Sequence, residues 1–343
     1  MKKILILLVI IAALIGGLYG YLIYKKINSP NVTINKTDNE HLYIPTGTTF
    51  DELITIIKSK GIVIDIDAFK WIAEKKNYIN KVKPGKYKLR DGMSNNEFVN
   101  LLRSGEQEPV TVTFNNVRTI EQLAGKVSKN LEADSSQIAE LLKDEEFIKK
   151  YGFNKYTIIS LFIPDTYEFY WNTSAKEFVA RMAKEYKKFW NDSRKTKAKK
   201  LNLSQSEVAT LASIVQRETI KNDEKPRVAG VYINRFKKGI PLQADPTVIY
   251  AIGDFTIKRV LRKHLKYDSP YNTYLYKGLP PGPICIPNKS SIDAVLNYEH
   301  HKYIYFCAKE DFSGYHNFAR TLAQHNANAR KYQHALNRRR IYK

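Results

Sequence analysis

One glutamate, Glu218, stands where its carboxyl group could serve as a general acid. The preceding residues predict a helix that begins at Ser204, because Ser204 and Glu207 form the S-x-x-E pattern of a capping box. One face of this helix is apolar and carries Val208, Leu211, Ala212 and Val215. Glu218 follows Leu211 by seven residues and Val215 by three, so it falls at the edge of the buried face, in the last turn.

This position would raise the pKa of the Glu218 carboxyl group in two ways. Burial disfavours the charged form, and the partial negative charge at a helix C-terminus acts in the same direction. Both effects favour a protonated carboxyl group near neutral pH, which a general acid requires. Arg217 and Lys221 would cancel these effects if they folded back onto the carboxylate, and a solvated glutamate at a helix end is the alternative interpretation.

The chain after Ser204 holds most of the Pro-Gly clusters and of the polar and aromatic runs, which is typical of loops that build a site. Three such runs cover residues 242–250, 271–274 and 278–284. Amide and hydroxyl groups in stiff loops can hydrogen-bond sugar hydroxyls, and a tyrosine ring can cover the apolar face of a pyranose. For any one tyrosine in a chain with 23 of them, packing is the alternative.

Several kinds of catalytic or binding motif are missing from the sequence. It contains no H-E-x-x-H, paired C-x-x-C, G-x-S-x-G, Walker or G-x-G-x-x-G motif. Seven histidines are scattered, and the adjacent pair His300-His301 would point in different directions on a helix or a strand. The sequence therefore predicts neither a metal nor a cofactor.

The composition is that of a folded and strongly basic protein. Among 343 residues, 43% are hydrophobic and 12% aromatic, which excludes wholesale disorder. The net charge of +22 calls for an anionic partner: nucleic acid, lipid head groups or an acidic cell-surface polymer. The basic residues are spread along the chain without a nucleic-acid-binding signature, so no nucleic acid partner is predicted. Two cysteines, Cys285 and Cys307, permit one disulfide at most and do not decide the redox compartment.

The N-terminus predicts a transmembrane anchor. Residues 4–24 contain no charge and are flanked by lysine pairs, and a helix of this length spans about 30 Å. A cleaved signal peptide is the alternative, but its apolar region is usually shorter and is followed by small residues. Here the apolar run ends in the aromatic residues Tyr19, Tyr21 and Tyr24, which suit a membrane interface. The lysine pairs at both ends leave the orientation weakly specified.

The remaining chain reads as an α+β protein in consecutive parts. Residues 1–27 form a cytoplasmic stub and the anchor, and the polar residues 28–40 form a short tether. Alternating strand and helix patterns make 41–114 a small α+β module, in which Ser94 and Glu97 form a second capping box. Residues 115–203 are mainly helical, and 204–343 form a mixed α+β catalytic part.

Four of these motifs, in this order and spacing, resemble the endolytic murein transglycosylases of the MltG (YceG-like) family. They are residues 211–219 around Glu218, the run 243–250, the run 271–274 and the Pro-Gly segment 278–282. The Pro-Asp-Thr-Tyr motif at 164–167, the N-terminal anchor and the small module, which resembles the family's LysM-like domain, also match. The resemblance covers nearly the whole chain and assigns the family's catalytic glutamate to Glu218.

The sequence departs from the family pattern at two places. Family members often have a second glutamate where this chain has Gln216, which leaves Glu218 as the only carboxylate in its segment. The family also often has Glu-Gly before the Pro-Asp-Thr-Tyr motif, where this chain has Ile159-Ser160. This chain therefore lacks the glutamate that relatives often have at this place.

The resemblance implies an enzyme that cuts nascent glycan strands between N-acetylmuramic acid and N-acetylglucosamine, forms 1,6-anhydro-muramic acid ends and so limits strand length. Such an enzyme needs one carboxyl group, because the C6 hydroxyl of the substrate is the nucleophile. We expect Glu218 to be catalytic, and five residues to hold the sugar: Asn234, Gln243, Asp245, Tyr271 and Asn272. Asp245 precedes Pro246, so capping a turn is its alternative role.

The same resemblance predicts the location and the partners. The chain is expected at the cell (inner) membrane as a single-pass protein, with its soluble part on the extracytoplasmic (periplasmic) side. Its partners would be peptidoglycan glycan strands and a glycan synthase such as a penicillin-binding protein. The competing hypothesis is a membrane-tethered protein that binds peptidoglycan without cutting it.

Overall fold

The computed structural model describes residues 1–34 and 40–339 and divides the chain into two compact units. The first unit comprises Met1–Thr111, Asn130–Ala133 and Glu168–Ser174. The second comprises Val112–Lys129, Asp134–Tyr167 and Ala175–Lys343. Of the predicted tether, residues 35–39 lie outside the described residues. The predicted division of the second unit between residues 203 and 204 stays a prediction.

The first unit begins with a long apolar helix, α1 (Lys2–Asn28). None of its residues is buried, and it is long and apolar enough to cross a membrane. Its C-terminal end packs on the rest of the unit, where the Asn95 side chain donates a hydrogen bond to the carbonyl oxygen of Lys26. The next residues, Asn31 and Val32 of the predicted tether, are buried in the same unit.

The small module predicted for residues 41–114 has two strands and three helices in the first unit. Its elements are β1 (His41–Ile44), α2 (Phe50–Ser59), α3 (Ile66–Lys75), β2 (Gly85–Lys88) and α4 (Asn95–Ser104). The strands pair antiparallel, with His41 opposite Lys88 and Ile44 opposite Gly85. The predicted capping box of Ser94 and Glu97 is present. The assignment of this module as LysM-like stays a prediction.

The second unit is mainly helical, with short two-stranded sheets. The elements that follow α4 in the chain are β3 (Val110–Phe114), α5 (Ile120–Val127), α6 (Ser135–Lys143), α7 (Glu145–Lys149), β4 (Asp165–Phe169), α8 (Ala175–Phe189), α9 (Asp192–Lys200), α10 (Gln205–Glu218), α11 (Lys225–Lys237), α12 (Asp245–Ile252), α13 (Lys289–Leu296), β5 (Tyr305–Ala308), β6 (His316–Ala319) and α14 (Leu322–Arg338). Short 3-10 helices cover Ile158–Leu161 and His264–Lys266. Strand β3 pairs with β4, and β5 pairs antiparallel with β6. The predicted mixed α+β class is confirmed.

Helix α10 lies at the centre of the second unit, in contact with α11, α12 and α13. Its predicted capping box of Ser204 and Glu207 is present, and its last helical residue is Glu218. The sequence pattern predicts one apolar stripe, but every residue from Val208 to Val215 is buried, including Thr210 and Ser213. The Ser213 hydroxyl donates to the carbonyl oxygen of Thr210 and accepts from the amide of Ile284, so burial leaves it satisfied.

Candidate functional site

Glu218 lies where α10 ends, because Thr219 adopts an extended conformation. The hydroxyl group of Tyr232, on the adjoining helix α11, donates a hydrogen bond of 2.6 Å to Oε1 of Glu218. Tyr232 is 2% exposed. Glu218 is partly exposed to solvent, but protein atoms surround its carboxyl group densely. The second oxygen of this carboxyl group, Oε2, makes no hydrogen bond within residues 1–34 and 40–339.

The surroundings of Glu218 raise the pKa of its carboxyl group into the neutral range, so that a large fraction of it stays protonated near pH 7. Burial raises the pKa of Glu218 to about 7, the hydrogen bond from Tyr232 lowers it, and the negative charge of Asp245 raises it. Arg217 and Lys221, which could have cancelled the shift, are engaged elsewhere. Arg217 donates a hydrogen bond to the Asn116 side chain at 3.3 Å, and the Lys221 ammonium lies 4.8 Å from the centre of the Tyr315 ring.

Asp245 is exposed at the first position of α12 and pairs with a tyrosine. The hydroxyl group of Tyr274 donates to Oδ1 of Asp245 at 2.6 Å, and burial is the main cause that raises the pKa of Tyr274. No side chain caps the start of α12, so the turn-capping role considered for Asp245 is not what its carboxylate does here. Glu218 also acts on Tyr274 electrostatically, so Glu218, Tyr232, Asp245 and Tyr274 form one coupled group, the Glu218 cluster.

A buried arginine, Arg235, holds Gln243 at the same site. Its guanidinium donates to Oε1 of Gln243 at 2.5 Å, to the carbonyl oxygen of Pro241 at 2.7 and 2.9 Å, and to that of Ile304 at 2.9 Å. Gln243 itself is exposed and has a backbone φ of 54°, in the left-handed region that a residue with a side chain rarely adopts. Arg235 therefore holds the exposed Gln243 amide with one hydrogen bond, while its other three fix the main chain at Pro241 and Ile304.

Two predicted binding residues, Asn234 and Asn272, use their amide groups within the protein. The Asn234 amide donates to the carbonyl oxygens of His301 at 2.7 Å and Tyr303 at 2.9 Å. Asn272 has no exposed surface and donates to the carbonyl oxygens of two residues of its own loop, Leu265 at 3.0 Å and Tyr267 at 2.8 Å. In this arrangement both side chains shape the loops of the site and present no free donor.

Tyr271, the fifth predicted binding residue, belongs to a group of three tyrosines. Its ring lies 4.8 Å from that of Tyr250 and 6.4 Å from that of Tyr156, measured between centroids, and 9% of the residue is exposed. The Pro-Gly segment 278–284 packs against this group. A Cβ atom at Gly282 would lie 2.0 Å from the carbonyl oxygen of Tyr156 and 3.3 Å from the Tyr271 hydroxyl, so only glycine fits there.

Both departures from the family pattern lie near α10. Gln216 accepts hydrogen bonds from the amide of Asn288 at 2.5 Å and the hydroxyl of Ser291 at 3.1 Å, and donates to the carbonyl oxygen of Ile286 at 3.4 Å. It thus ties α10 to the start of α13. Ile159 and Ser160 are buried in a 3-10 helix that contacts α10, and the Ser160 hydroxyl has no hydrogen-bond partner within the described residues.

The structure brings Glu218, Gln243 and Asp245 into one network through residues that sequence reasoning missed. Tyr232, Arg235 and Tyr274 supply the connecting hydrogen bonds and charges. Tyr232 lies in the apolar run of α11, so its type and position resemble those of a packing residue. Both cysteines are free thiols, and residues 1–34 and 40–339 include no group of three or more His, Cys, Asp or Glu side chains arranged to hold a metal ion.

Comparison with known proteins places the chain in a family. The sequence profile of the YceG-like family matches residues 42–331. An endolytic murein transglycosylase of Bacillus subtilis (strain 168) is 31% identical over 337 residues, which cover 93% of this chain and 91% of that protein. One of Streptococcus pneumoniae serotype 2 is 27% identical over 339 residues, which cover 88% of this chain and 60% of that protein.

A structural comparison agrees. A YceG-like protein of Listeria monocytogenes, known from a crystal structure, superimposes with a TM-score of 0.55 and 28% identity, over 84% of this chain and 99% of that one. The resemblance inferred from the sequence motifs is thus confirmed by profile, sequence and structure. Because the family profile spans most of its length, this chain belongs to the YceG-like family.

Proposed function

We propose that this chain is a membrane-anchored endolytic lytic transglycosylase that cleaves peptidoglycan glycan strands between N-acetylmuramic acid and N-acetylglucosamine. The observation that carries the proposal is the partly buried carboxyl group of Glu218, whose pKa is raised to about 7 and whose Oε1 is held by Tyr232. The names of the relatives in Bacillus subtilis and Streptococcus pneumoniae support the substrate class.

In the first step, Glu218 acts as a general acid. Its Oε2 donates a proton to the oxygen that bridges the two sugars, and the bond between this oxygen and C1 of muramic acid breaks. The glucosamine leaves as an alcohol, and C1 carries oxocarbenium character. The Tyr232 hydrogen bond to Oε1 stabilises the carboxylate that this step creates, because hydrogen bonds to an ionised acceptor are stronger than those to a neutral one.

In the second step, the same carboxylate acts as a base. It takes the proton of the C6 hydroxyl as that oxygen closes on C1, which forms the 1,6-anhydro ring and restores the protonated Glu218. The nucleophile is part of the substrate, so no second carboxylate is needed to activate water, unlike in ordinary glycosidases. A tethered nucleophile also has a high effective concentration at C1.

We further propose that Gln243, Asp245 and Tyr271 contact the sugar. Gln243 is exposed beside the Glu218 cluster and oriented by Arg235, and Asp245 is exposed within the cluster and oriented by Tyr274. Tyr271 supplies aromatic surface at the Pro-Gly segment. For Asn234 and Asn272 we propose a positioning role, since their donors are used by main-chain carbonyl groups.

Helix α1 is proposed to anchor the chain in the cell membrane, with the rest of the chain on the extracytoplasmic side. Its length and apolar surface support the anchor, and the extracytoplasmic location of peptidoglycan supports the orientation. Cleavage near the membrane would act on strands as they are made and so limit their length. A glycan synthase, such as a penicillin-binding protein, is the proposed partner.

The test is to incubate the full chain, purified in detergent, with un-cross-linked glycan strands and to analyse the products by mass spectrometry. Wild type should release fragments with 1,6-anhydro ends, and Glu218→Gln should release about 10²–10⁴-fold less, the usual contribution of a general acid. Asn288→Ala, outside the Glu218 cluster, is the folding control. Reducing ends would show that water is the nucleophile, and binding without release would favour the non-catalytic tethered protein.

A further inference from the structure

A basic loop at residues 254–277 of the second unit stands out by its charge. It contains six Lys or Arg residues against two Asp, and all six are exposed: Lys258, Arg259, Arg262, Lys263, Lys266 and Lys277. In the part of the chain that the structure describes, none of the six takes part in an ion pair or a side-chain hydrogen bond. Their charges are therefore free to meet an anionic surface.

The basic loop also exposes large hydrophobic side chains. Four of the seven exposed large hydrophobic residues described in the second unit lie in it: Leu261, Tyr267, Leu275 and Tyr276, each between 46% and 50% exposed. The exposure of leucine side chains to water is unfavourable, and a loop that combines exposed leucine and tyrosine with several lysine and arginine residues is typical of surfaces that rest at a membrane interface.

Hydrogen bonds through Asn272 connect the segments of the loop that carry Tyr267, Leu275 and Tyr276. The side-chain amide of Asn272 donates to the carbonyl oxygens of Leu265 and Tyr267. The main-chain carbonyl oxygen of Asn272 accepts hydrogen bonds from the main-chain amides of Leu275 and Tyr276. The Tyr276 hydroxyl donates to Asp268 at 2.6 Å, so one of the two carboxylates of the loop is engaged within the loop itself. The other, Asp254, accepts two hydrogen bonds from Thr256.

A second basic region provides a contrast. Residues 187–200 hold seven Lys or Arg, but the large aromatic side chains there, Phe189 and Trp190, are buried. Charge without exposed apolar surface is the pattern of a solvated helix. Charge combined with exposed leucine and tyrosine, as in the basic loop, fits a surface that meets both phosphate groups and acyl chains.

We propose that the basic loop docks on the anionic phospholipid surface of the membrane in which the chain is anchored. Because the same chain carries α1, a bilayer is available to the loop at a high effective concentration. The loop includes Tyr271, Asn272 and Tyr274, so docking would orient the Glu218 site toward strands at the membrane surface. This inference rests on the proposed membrane anchor α1 but not on the chemistry at Glu218, so docking and catalysis can fail separately.

The experiment places a spin label on the full chain reconstituted in nanodiscs. The label is attached at Leu275→Cys in a Cys307→Ser background, where the fully buried Cys285 does not react. The readout is the accessibility of the label to oxygen relative to a water-soluble nickel chelate. In discs that contain phosphatidylglycerol, this ratio should be about threefold or more above that in phosphatidylcholine discs, and high salt should abolish the difference.

Two controls make the result specific to the basic loop. A label at Lys184→Cys, on the exposed face of α8, should stay accessible to the nickel chelate in both kinds of disc. Changing Lys258, Arg259, Arg262 and Lys263 to Gln should lower the ratio at residue 275 to its value in neutral discs. The matched change of Lys187, Lys188, Lys199 and Lys200 to Gln removes the same charge and should leave the ratio unaltered.

Two outcomes would overturn the proposal. The label at residue 275 could remain accessible to the nickel chelate in anionic discs. It could also become shielded only after glycan strands are added, which would make the basic loop part of the glycan-binding surface instead of a lipid-binding one.

Discussion

Tyr232 donates a 2.6 Å hydrogen bond to Oε1 of Glu218 from the neighbouring helix. This contact opposes the effects of burial and of the Asp245 charge, which both raise the pKa of Glu218. The balance leaves the carboxyl group with a pKa of about 7, where it can both give and take a proton at neutral pH. Each neighbour can be removed separately, and the two removals should have opposite effects.

The activity should fall as pH rises through about 7, the raised pKa of Glu218, because the ionised carboxylate cannot protonate the leaving oxygen. The measurement is kcat/KM on un-cross-linked glycan strands across the neutral range. Strand binding should be followed in parallel, so that a loss of affinity is not mistaken for a loss of proton transfer. Constant kcat/KM well above pH 7 would contradict the assignment of Glu218 as the acid.

Replacing Tyr232 by Phe should shift the alkaline limb of the kcat/KM profile to higher pH. The hydrogen bond that lowers the pKa of Glu218 is lost, so the carboxyl group stays protonated longer. The maximal rate should decrease about 10-fold or more, because a hydrogen bond to a charged group contributes about 1.5–3 kcal/mol. A lower rate with an unshifted profile would indicate a packing role for Tyr232.

Replacing Asp245 by Asn should move the same limb to lower pH. The negative charge that raises the pKa of Glu218 disappears, so the carboxyl group ionises earlier. Tyr274→Phe is the matched comparison, since it removes the hydrogen bond to Asp245 and keeps the Asp245 charge. If both variants moved the limb equally, the orientation of Asp245 and not its charge would be the cause.

The free energy of unfolding of the chain should also depend on pH through the raised pKa of Glu218. Its folded-state pKa of about 7 lies above the ordinary value of 4.5, so between these values the folded chain keeps a proton that the unfolded chain releases. The free energy of unfolding must therefore decrease as pH rises through this window and level off above it. The Tm of the wild type should decrease relative to that of Glu218→Gln as pH rises through this window. If Tm changed with pH in the same way for both proteins, the pKa of Glu218 would not be raised.

Arg235→Lys should destabilise the second unit by about 2–4 kcal/mol, because one ammonium group cannot replace four hydrogen bonds from a buried guanidinium. Gln243 would lose its support, so KM for glycan strands should increase more than kcat decreases. Denaturant unfolding and steady-state kinetics measure the two effects. Arg227→Lys, at an exposed pair with Glu299, is the control and should change stability by less than about 1 kcal/mol.

Much of the fold and the position of the proposed acid, Glu218, could be predicted from the sequence, because they depend on neighbours in the chain. The start of α10 at Ser204, its end at Glu218 and the capping box at Ser94 follow from local patterns that the structure reproduces. The length and apolar character of α1 could also be predicted from local sequence. In contrast, the complete burial of the middle of α10 exceeded the predicted stripe, because helices on several sides cover it.

The binding residues show why the rest of the site could not be predicted. An asparagine in a loop can bind a ligand or a main-chain carbonyl group, and residue type does not distinguish the two. Packing of the loops around Asn234 and Asn272 uses their donors internally, while Arg235 and Tyr274 orient Gln243 and Asp245 at the surface. These contacts join residues from different elements, so they exist only once the elements have packed.

The position of Glu218 at the end of an apolar helix, and hence the tendency of its pKa to rise, follows from the order of residues along the chain. The size of that effect depends on Tyr232 and Asp245, which α11 and α12 bring to the carboxyl group. Burial, hydrogen bonds and charges act over a few ångströms in space, whatever the separation in sequence. The placement of the proposed acid at a helix end is therefore a property of the local sequence, and the tuning of its pKa is a property of the packed helices.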